Sequence, residues 1–315
     1  MKTTDVERRI KHRFNLIRQL YQANWYDIQM IRLQNTGGLG NQLFVWAAAH
    51  NLAHKFDEKV VIFTVKDRNS RKDRPSELHS LKIHCKHDVY LRESLVLGYI
   101  LRVVDKLKLE RHPLSRSILQ MSGFYSVHCA TDEYSFGRRA PKIVRSYFQR
   151  NEYVDSSWDF ISGEIKSRLE EIKISQSINE STSQVIHFRR GDFVEIKATH
   201  GLLSVEFFAK NINSNLNNVF CTDDSLYVDQ INSRIPMAII MTPRELDVWQ
   251  TLKVFVGAKE FLGSNSTLSW WAAKIRSKTF VTNSSLPQPW TRADSEDEIA
   301  LEIPGVDFKR AIFED

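Results

Sequence analysis

Across residues 1–27 the apolar positions Ile10, Phe14, Ile17, Leu20 and Tyr21 step by three and four, while Arg8, Arg9, Lys11, His12, Arg13 and Arg18 fill the intervals. That spacing predicts an appended helix with one oily and one basic face. Packing on the main body with the basic face in water would account for the pattern, and so would peripheral attachment to an anionic membrane surface. From Ile28 the rhythm changes. IQMIRLQ (28–34) reads as a short strand, NTGGLGNQ as a turn, LFVWAAAHNLAHKF (43–56) as a helix and KVVIFTV (59–65) as a second buried strand. Such a β-loop-α-β unit requires a parallel sheet covered by helices and a right-handed crossover.

Residues 66–135 read as a polar loop, KDRNSRKDRPSE, followed by one or two helices within LVLGYILRVVDKLKLERHPLSRSIL. After IVRSYFQRNEYV (143–154) comes a helical stretch over 158–174, then the polar run ISQSINESTSQ, where the main domain junction is expected. QVIHF (184–188), NVFCT (218–222), MAII (237–240) and TFVT (279–282) read as strands, and RELDVWQTLKVFVGA (244–258) as an amphipathic helix. The expectation is an α/β protein of two doubly wound, Rossmann-like domains facing a cleft, over 28–175 and 184–290. The appended helix 1–27 precedes them and a C-terminal segment, 291–315, follows. In such sheets ligands sit beyond the carboxyl ends of the strands.

Composition narrows the class. The 315 residues are 42 % hydrophobic and 26 % charged, with 12 glycines and 8 prolines, which excludes a disordered chain, a collagen and a small disulfide scaffold. The three cysteines, Cys85, Cys129 and Cys221, form no zinc or redox spacing and suit a reducing compartment. No apolar run is long enough to span a bilayer and no signal-peptide pattern opens the chain, so a cytoplasmic protein is expected. The formal charge of +6 suits an anionic partner without naming it.

Four clusters carry candidate chemistry. In GGLGNQ (37–42) the glycines at a strand-to-helix turn permit positive φ and close approach of another molecule, although a tight turn is by itself the better explanation. In HFRRGD (187–192) an imidazole, two guanidiniums and a carboxylate follow a buried strand, where clustering such groups is costly unless they are used. Neighbours on a strand face opposite ways, so one arginine fits a forked clamp on a pyrophosphate and the other an internal pair with a carboxylate. In CTDD (221–224) the two carboxylates suit a guanine edge, a ribose hydroxyl, a divalent cation or simple helix capping. In GSNSTLSWWAAKI (263–275), Ser264, Asn265, Ser266 and Thr267 lead into a helix whose free N–H groups suit a phosphate, with Trp270 and Trp271 read as core.

Together, MIRLQNTGGLGNQLFVWAAAHNLA, HFRRGD, FCTDD and FLGSNSTLSWWAA resemble glycosyltransferase family 11, the α-1,2-fucosyltransferases, over roughly residues 28 to 290. The resemblance implies a GT-B-like fold, GDP-β-L-fucose as donor, a terminal β-galactoside as acceptor, inversion at the anomeric carbon, and no metal or other cofactor. By position Arg189 would hold the pyrophosphate, with His187 and Arg190 at the donor site. Asp223 or Asp224 would read the guanine or ribose, and Asn265, Ser266 and Thr267 would sit at the phosphates. Gly37, Gly38, Gly40, Asn41 and Gln42 would line the acceptor side of the cleft. The chain departs from the family pattern in its N-terminal helix, in CTDD for FSDD, and in Phe44-Val45-Trp46 for Phe-Gln-Tyr. Animal members usually carry a membrane anchor; without one, a bacterial enzyme of surface polysaccharide (O-antigen) synthesis is expected, acting on an acceptor that is in some cases lipid-linked at the inner membrane.

Transfer with inversion needs charge stabilisation on the leaving diphosphate, which Arg189 and a helix end supply, and a base for the acceptor hydroxyl, for which Asp192 stands first and Glu195 behind it. An α-1,6- or O-fucosyltransferase is the competing enzyme reading. A nucleic-acid-binding module is the competing reading of another class; the dispersed bases, balanced by 38 acids, and the lack of a known nucleic-acid fold signature speak against it.

Overall fold

The structure, a computed structural model, describes residues 30–64, 76–81, 89–93, 95–109, 113–126, 136, 139–174, 183–224, 227–234, 239–242, 245–279, 283–291 and 301–314. The helix expected over 1–27 lies outside them.

In the first domain β1 (Met30–Asn35) turns into α1 (Leu39–Phe56) and returns as β2 (Lys59–Thr64). Then follow β3 (Val89–Glu93), α2 (Leu95–Lys106), α3 (Pro113–Met121), β4 (Phe124–Ser126), β5 (Ile143–Arg145) and α4 (Asn151–Glu171). The strands order as β3-β2-β1-β5-β4, every pairing parallel. The stretch over 95–121 resolves into two helices, and α4 begins seven residues before the expected start at 158.

The second domain runs β6 (Ser183–Phe188), α5 (Lys197–His200), α6 (Val205–Asn211), β7 (Asn217–Thr222), α7 (Val228–Arg234), β8 (Ile239–Met241) and α8 (Val248–Gly257). It continues through β9 (Glu260–Leu262), α9 (Thr267–Lys278), β10 (Ser284–Gln288) and β11 (Asp307–Arg310). Its order is β11-β10-β9-β6-β7-β8, again all parallel. The expected start of α8 at 244 moves to 248, because Asp247 and Gln250 form a reciprocal capping box there. Of the strand expected over 279–282, Thr279 instead ends α9 and 280–282 lie outside the described residues; β10 follows from Ser284. Within the C-terminal segment, β11 extends the second sheet beside β10, and Ala311 N–H bonds Gln288 O at 2.7 Å.

Each sheet reverses direction once. Chain order moves outward from β1 to β2 and β3, and β5 lies on the other flank of β1; likewise β6 leads to β7 and β8, and β9 lies on its other flank. The crevices beyond the carboxyl ends of β1/β5 and β6/β9 are therefore the places where this doubly wound architecture opens a ligand site. The two halves form a GT-B-like arrangement, held by a shared core.

That core explains why α1 is apolar all round rather than on one stripe. It lies against β1, β2, α4 and α9, so its residues from Leu43 to His50 are all buried. Phe44 meets Trp270 at 4.6 Å and Trp271 at 5.3 Å between ring centres, and both tryptophans are fully buried. Trp270 and Trp271 are thus core, as read from the sequence, but the core is the one between domains. A polar junction lies beside it: Lys274 of α9, 1 % exposed, donates to Asn151 at 2.6 Å and to Asp155 at 2.7 Å, both on α4. Lys278 reaches the same Asp155 oxygen at 2.9 Å. Burial acts to raise the Asp155 pKa, but the hydrogen bonds from Lys274 and Lys278 outweigh it and hold the carboxyl below its usual range.

Candidate active site

Alternation along β6 sorts its side chains between two faces. Val185 packs on the core shared with α8 and α9, whereas Ile186 and Phe188 pack on a second cluster with Phe207 and Phe208 of α6. His187 falls on the Val185 side. Its Nδ1 shares a 2.6 Å hydrogen bond with Ser269 Oγ and lies 3.3 Å from Ser264 Oγ, and its ring tilts against Phe255 at 4.8 Å. Burial, reinforced by the Arg189 cation, pushes its pKa down to about 3, so the imidazole is neutral at physiological pH. Ser269 Oγ also accepts from Ser264 N–H at 3.0 Å, which fastens the loop before α9 to the end of β6. Sequence reasoning missed this serine bracket; a His next to the strand end with small hydroxyl residues elsewhere gives no spacing signal for it.

Past Phe188 the two arginines diverge. Arg189 pairs through one terminal nitrogen with Asp223 and through the other with Asp192, and its guanidinium lies 5.5 Å from the centre of the Phe193 ring. Arg190 turns inward and is 6 % exposed. Its Nε donates to Asp224 at 3.3 Å and a terminal nitrogen to Glu314 at 2.5 Å, with the guanidinium 3.4 Å above the Tyr227 ring. Tyr227 Oη donates to the same Glu314 oxygen at 2.8 Å. Arg190 and Asp224, expected at the donor, are thereby engaged with each other inside the domain. The reason is local: Arg190 leaves the strand at φ −133°, ψ −68°, which directs its side chain toward β7 and the returning C-terminus. Asp223 does not cap a helix; its Oδ1 accepts from Arg190 N–H at 2.8 Å, and Gly191 passes so close to the carboxylate that a Cβ there would collide with it. Asp192 is the outermost of the group, its side chain 56 % exposed.

On the facing loop, Ser266 caps α9 by accepting from Leu268 N–H at 3.3 Å. Asn265 is buried and its amide nitrogen donates to the carbonyls of His200 at 3.0 Å and Gly201 at 3.1 Å, which ties the loop down. Ser266 and Thr267 stay half-buried at the helix mouth. The first turn of α9 carries no acidic residue, leaving its positive end uncompensated by side chains there.

The glycine loop meets α9 head on. A Cβ on Gly40 would lie 2.5 Å from the Thr267 carbonyl carbon and 2.6 Å from Leu268 N, so this glycine admits the other domain's helix and not a small molecule. Gly37 adopts φ +75°, where glycine costs least, and its carbonyl accepts from the Gln42 amide at 2.9 Å. Gln42, expected to line the cleft, is 1 % exposed; its other amide atom accepts from Glu77 N–H at 2.8 Å, bracing the loop from within. Gly38 caps α1 with no side chain, and Asn41, half-buried, accepts from the Gln149 amide at 2.9 Å beyond β5. The structure therefore brings the starts of α1 and α9 into contact, and places the Arg189–Asp192–Asp223 group just past the end of β6, the strand beside β9. Among the described residues no group of three or more His, Cys, Asp or Glu side chains is placed to hold a metal ion, and no helix is long and apolar enough to cross a membrane.

The chain is 21 % identical to the O-antigen biosynthesis glycosyltransferase WbnK of Escherichia coli over 304 residues, covering 85 % of this chain and 97 % of that protein. Among solved structures it is similar to the α-1,6-fucosyltransferase NodZ soaked with GDP-fucose, at TM-score 0.45 and 12 % identity over 78 % of this chain and 92 % of that one. It is also similar to POFUT1 in complex with GDP, at TM-score 0.42 and 13 % identity over 82 % and 98 % of the two chains. Residues 126–300, more than half of the sequence and the whole of the β6–α9 wall, match glycosyl transferase family 11; the chain belongs to that family and is a glycosyltransferase.

Proposed function

We propose that the protein transfers L-fucose from GDP-β-L-fucose to O2 of a terminal β-galactoside, with inversion and without a metal ion, in the synthesis of a bacterial surface polysaccharide. The observation that carries this reading is the position of Arg189 just past the carboxyl end of β6, a strand whose His187 is hydrogen-bonded to Ser269 of α9 and lies 3.3 Å from Ser264 in the loop before that helix. A forked cation and free helix amides are the two devices a protein uses to take up charge on a diphosphate. Asp223 contributes by orienting Arg189 and Gly191 by admitting that carboxylate, so the cation is held in place before the donor arrives. His187, neutral and pinned by Ser264 and Ser269, sets the distance between Arg189 and the α9 loop rather than moving a proton.

In the reaction the acceptor O2 attacks the anomeric carbon from the face opposite the diphosphate. The bond from that carbon to the β-phosphate oxygen breaks, and its electron pair stays on GDP, where Arg189 and the amides of Ser266 and Thr267 stabilise it. The O2 proton passes to Asp192, the exposed carboxylate beside Arg189. The α-1,2 linkage and the galactoside rest on the motifs GGLGNQ and SNSTLSWWAA together with family membership. The polysaccharide role rests on the similarity to an O-antigen glycosyltransferase.

Purified protein incubated with GDP-fucose, GDP-mannose or UDP-galactose over a panel of β-galactosides, with and without EDTA, tests the reading. NMR of the product should show an α-1,2-linked fucose from GDP-fucose in both conditions; an α-1,6 linkage, a preferred GDP-mannose or loss of activity in EDTA would overturn it. Arg189→Ala should lower turnover by roughly 10²-fold or more and abolish GDP binding, with Arg189→Lys intermediate because lysine keeps the charge and loses the fork. Unchanged GDP affinity in Arg189→Ala refutes the assignment.

A further inference from the structure

The first domain carries an apolar surface that the transferase reading leaves unused. On α3, Leu114, Ile118 and Met121 recur at intervals of four and three and are 74 %, 46 % and 87 % exposed, while Leu119 on the inward side is buried. On the neighbouring α2, Tyr99 is 53 % exposed and shares its outward side with Arg102 and Lys106, three and seven residues on; Lys108 follows just after the helix, also exposed. Both helices rest on one cluster, through Leu101 and Val104 of α2 and Leu119 of α3 packed with Val61, Phe63 and Ile143 of the first sheet. Val60, Ile62 and Val144 point the other way, into the core shared with α1 and the second domain. The outward faces of α2 and α3 thus lie on one exterior side of the first domain, away from the interdomain core.

We propose that this α2–α3 face seats the protein on an anionic lipid membrane. Exposed long aliphatic side chains beside a tyrosine and basic residues are the composition of a surface that inserts its apolar tips at the headgroup boundary while the cations meet lipid phosphates. The charge is complementary: among the described residues of 95–121, Arg102, Lys106, Lys108 and Arg116 stand against Asp105, which is itself paired with Arg145 at 2.5 Å. The site is distinct from residues 1–27, which were read from sequence as a membrane-binding candidate, and its occupancy does not depend on which sugar is transferred.

Vesicle sedimentation of the full chain tests the proposal with no activity readout. Wild-type protein should sediment with phosphatidylcholine vesicles that contain phosphatidylglycerol, much less with phosphatidylcholine alone, and less as salt rises. The variant L114E/I118E/M121E should bind at least about tenfold more weakly, as should Lys106→Glu with Lys108→Glu to a smaller degree. Because these side chains are exposed, thermal unfolding should stay near wild type; the milder variant Met121→Ser, with an unchanged unfolding curve and reduced sedimentation, guards against a folding effect. Three results would overturn the proposal: no sedimentation of the wild type, wild-type sedimentation by the triple variant, which would assign binding to residues 1–27, or a vesicle-free dimer that the triple variant dissolves, which would make a second copy of the chain the occupant.

Discussion

Gly40→Ala separates local propensity from tertiary geometry. In an isolated helix the change favours folding by about 1 kcal/mol, because alanine loses less conformational freedom than glycine. Here the added methyl would meet the Thr267 carbonyl carbon at 2.5 Å and Leu268 N at 2.6 Å, where ordinary contact begins near 3.4 Å. The obstacle is helix backbone and cannot rotate aside, so the starts of α1 and α9 must part by about 0.9 Å, the difference between 3.4 and 2.5 Å. Overpacking of this kind costs about 1–3 kcal/mol, which outweighs the propensity gain. The same displacement shifts the first domain against the second, and so, on the proposed reading, the acceptor against Arg189; a shift near 1 Å in a reacting geometry costs about 10² in rate. Urea unfolding and steady-state kinetics on the same preparation check both parts. We expect lower stability, kcat down about 10²-fold and a modest rise in donor KM. A variant more stable than wild type with unchanged kcat would refute the close approach of the two helix starts.

Three further outcomes follow from the same contacts. Asp155→Ala strips the carboxylate from buried Lys274 and should cost about 2–3 kcal/mol, below the usual range for breaking a buried pair because Asp155 is 40 % exposed, whereas Lys274→Met should stay within about 1 kcal/mol; equal costs in urea unfolding would sink the asymmetry. His187 has a folded pKa of about 3 against 6.5 unfolded, so between those values the unfolded chain holds the extra proton; its contribution is complete above pH 6.5 and is lost as pH falls toward 3, by up to about 1.4 kcal/mol per pH unit. His187→Gln should flatten the stability profile in that window by comparison with wild type, and parallel profiles would contradict the burial of a neutral imidazole. Glu314→Ala removes one partner each from Arg190 and Tyr227 and should cost about 1–3 kcal/mol in thermal or urea unfolding; no measurable loss would mean that the C-terminus is not anchored there.

Elements with long apolar runs were legible in the sequence: β1, α1, β2, β6 and β7 each carry a pattern that only one secondary structure buries. The strand β9 was not, because Glu260-Phe261-Leu262 is too short for periodicity and directly follows a helix, and β10, Ser284 to Gln288, is polar and contains a proline. The end of β6 was recognisable as a candidate site because His187, Arg189, Arg190 and Asp192 crowd a strand terminus. Which arginine turns inward was not, since Arg190 answers to Glu314, 124 residues away, and no local spacing encodes that pair. The glycine and tryptophan motifs were legible as sequence but not as geometry. Read separately they suggest a ligand loop and a phosphate helix; in the structure they meet each other, Gly40 on Thr267 and Phe44 on Trp270 and Trp271. Much of what makes these motifs distinctive therefore fixes the distance between two domains. On the proposed reading, with the donor wall in one domain and the acceptor side in the other, that distance is itself a catalytic parameter, and a motif that sets it acts on the reaction without touching either sugar.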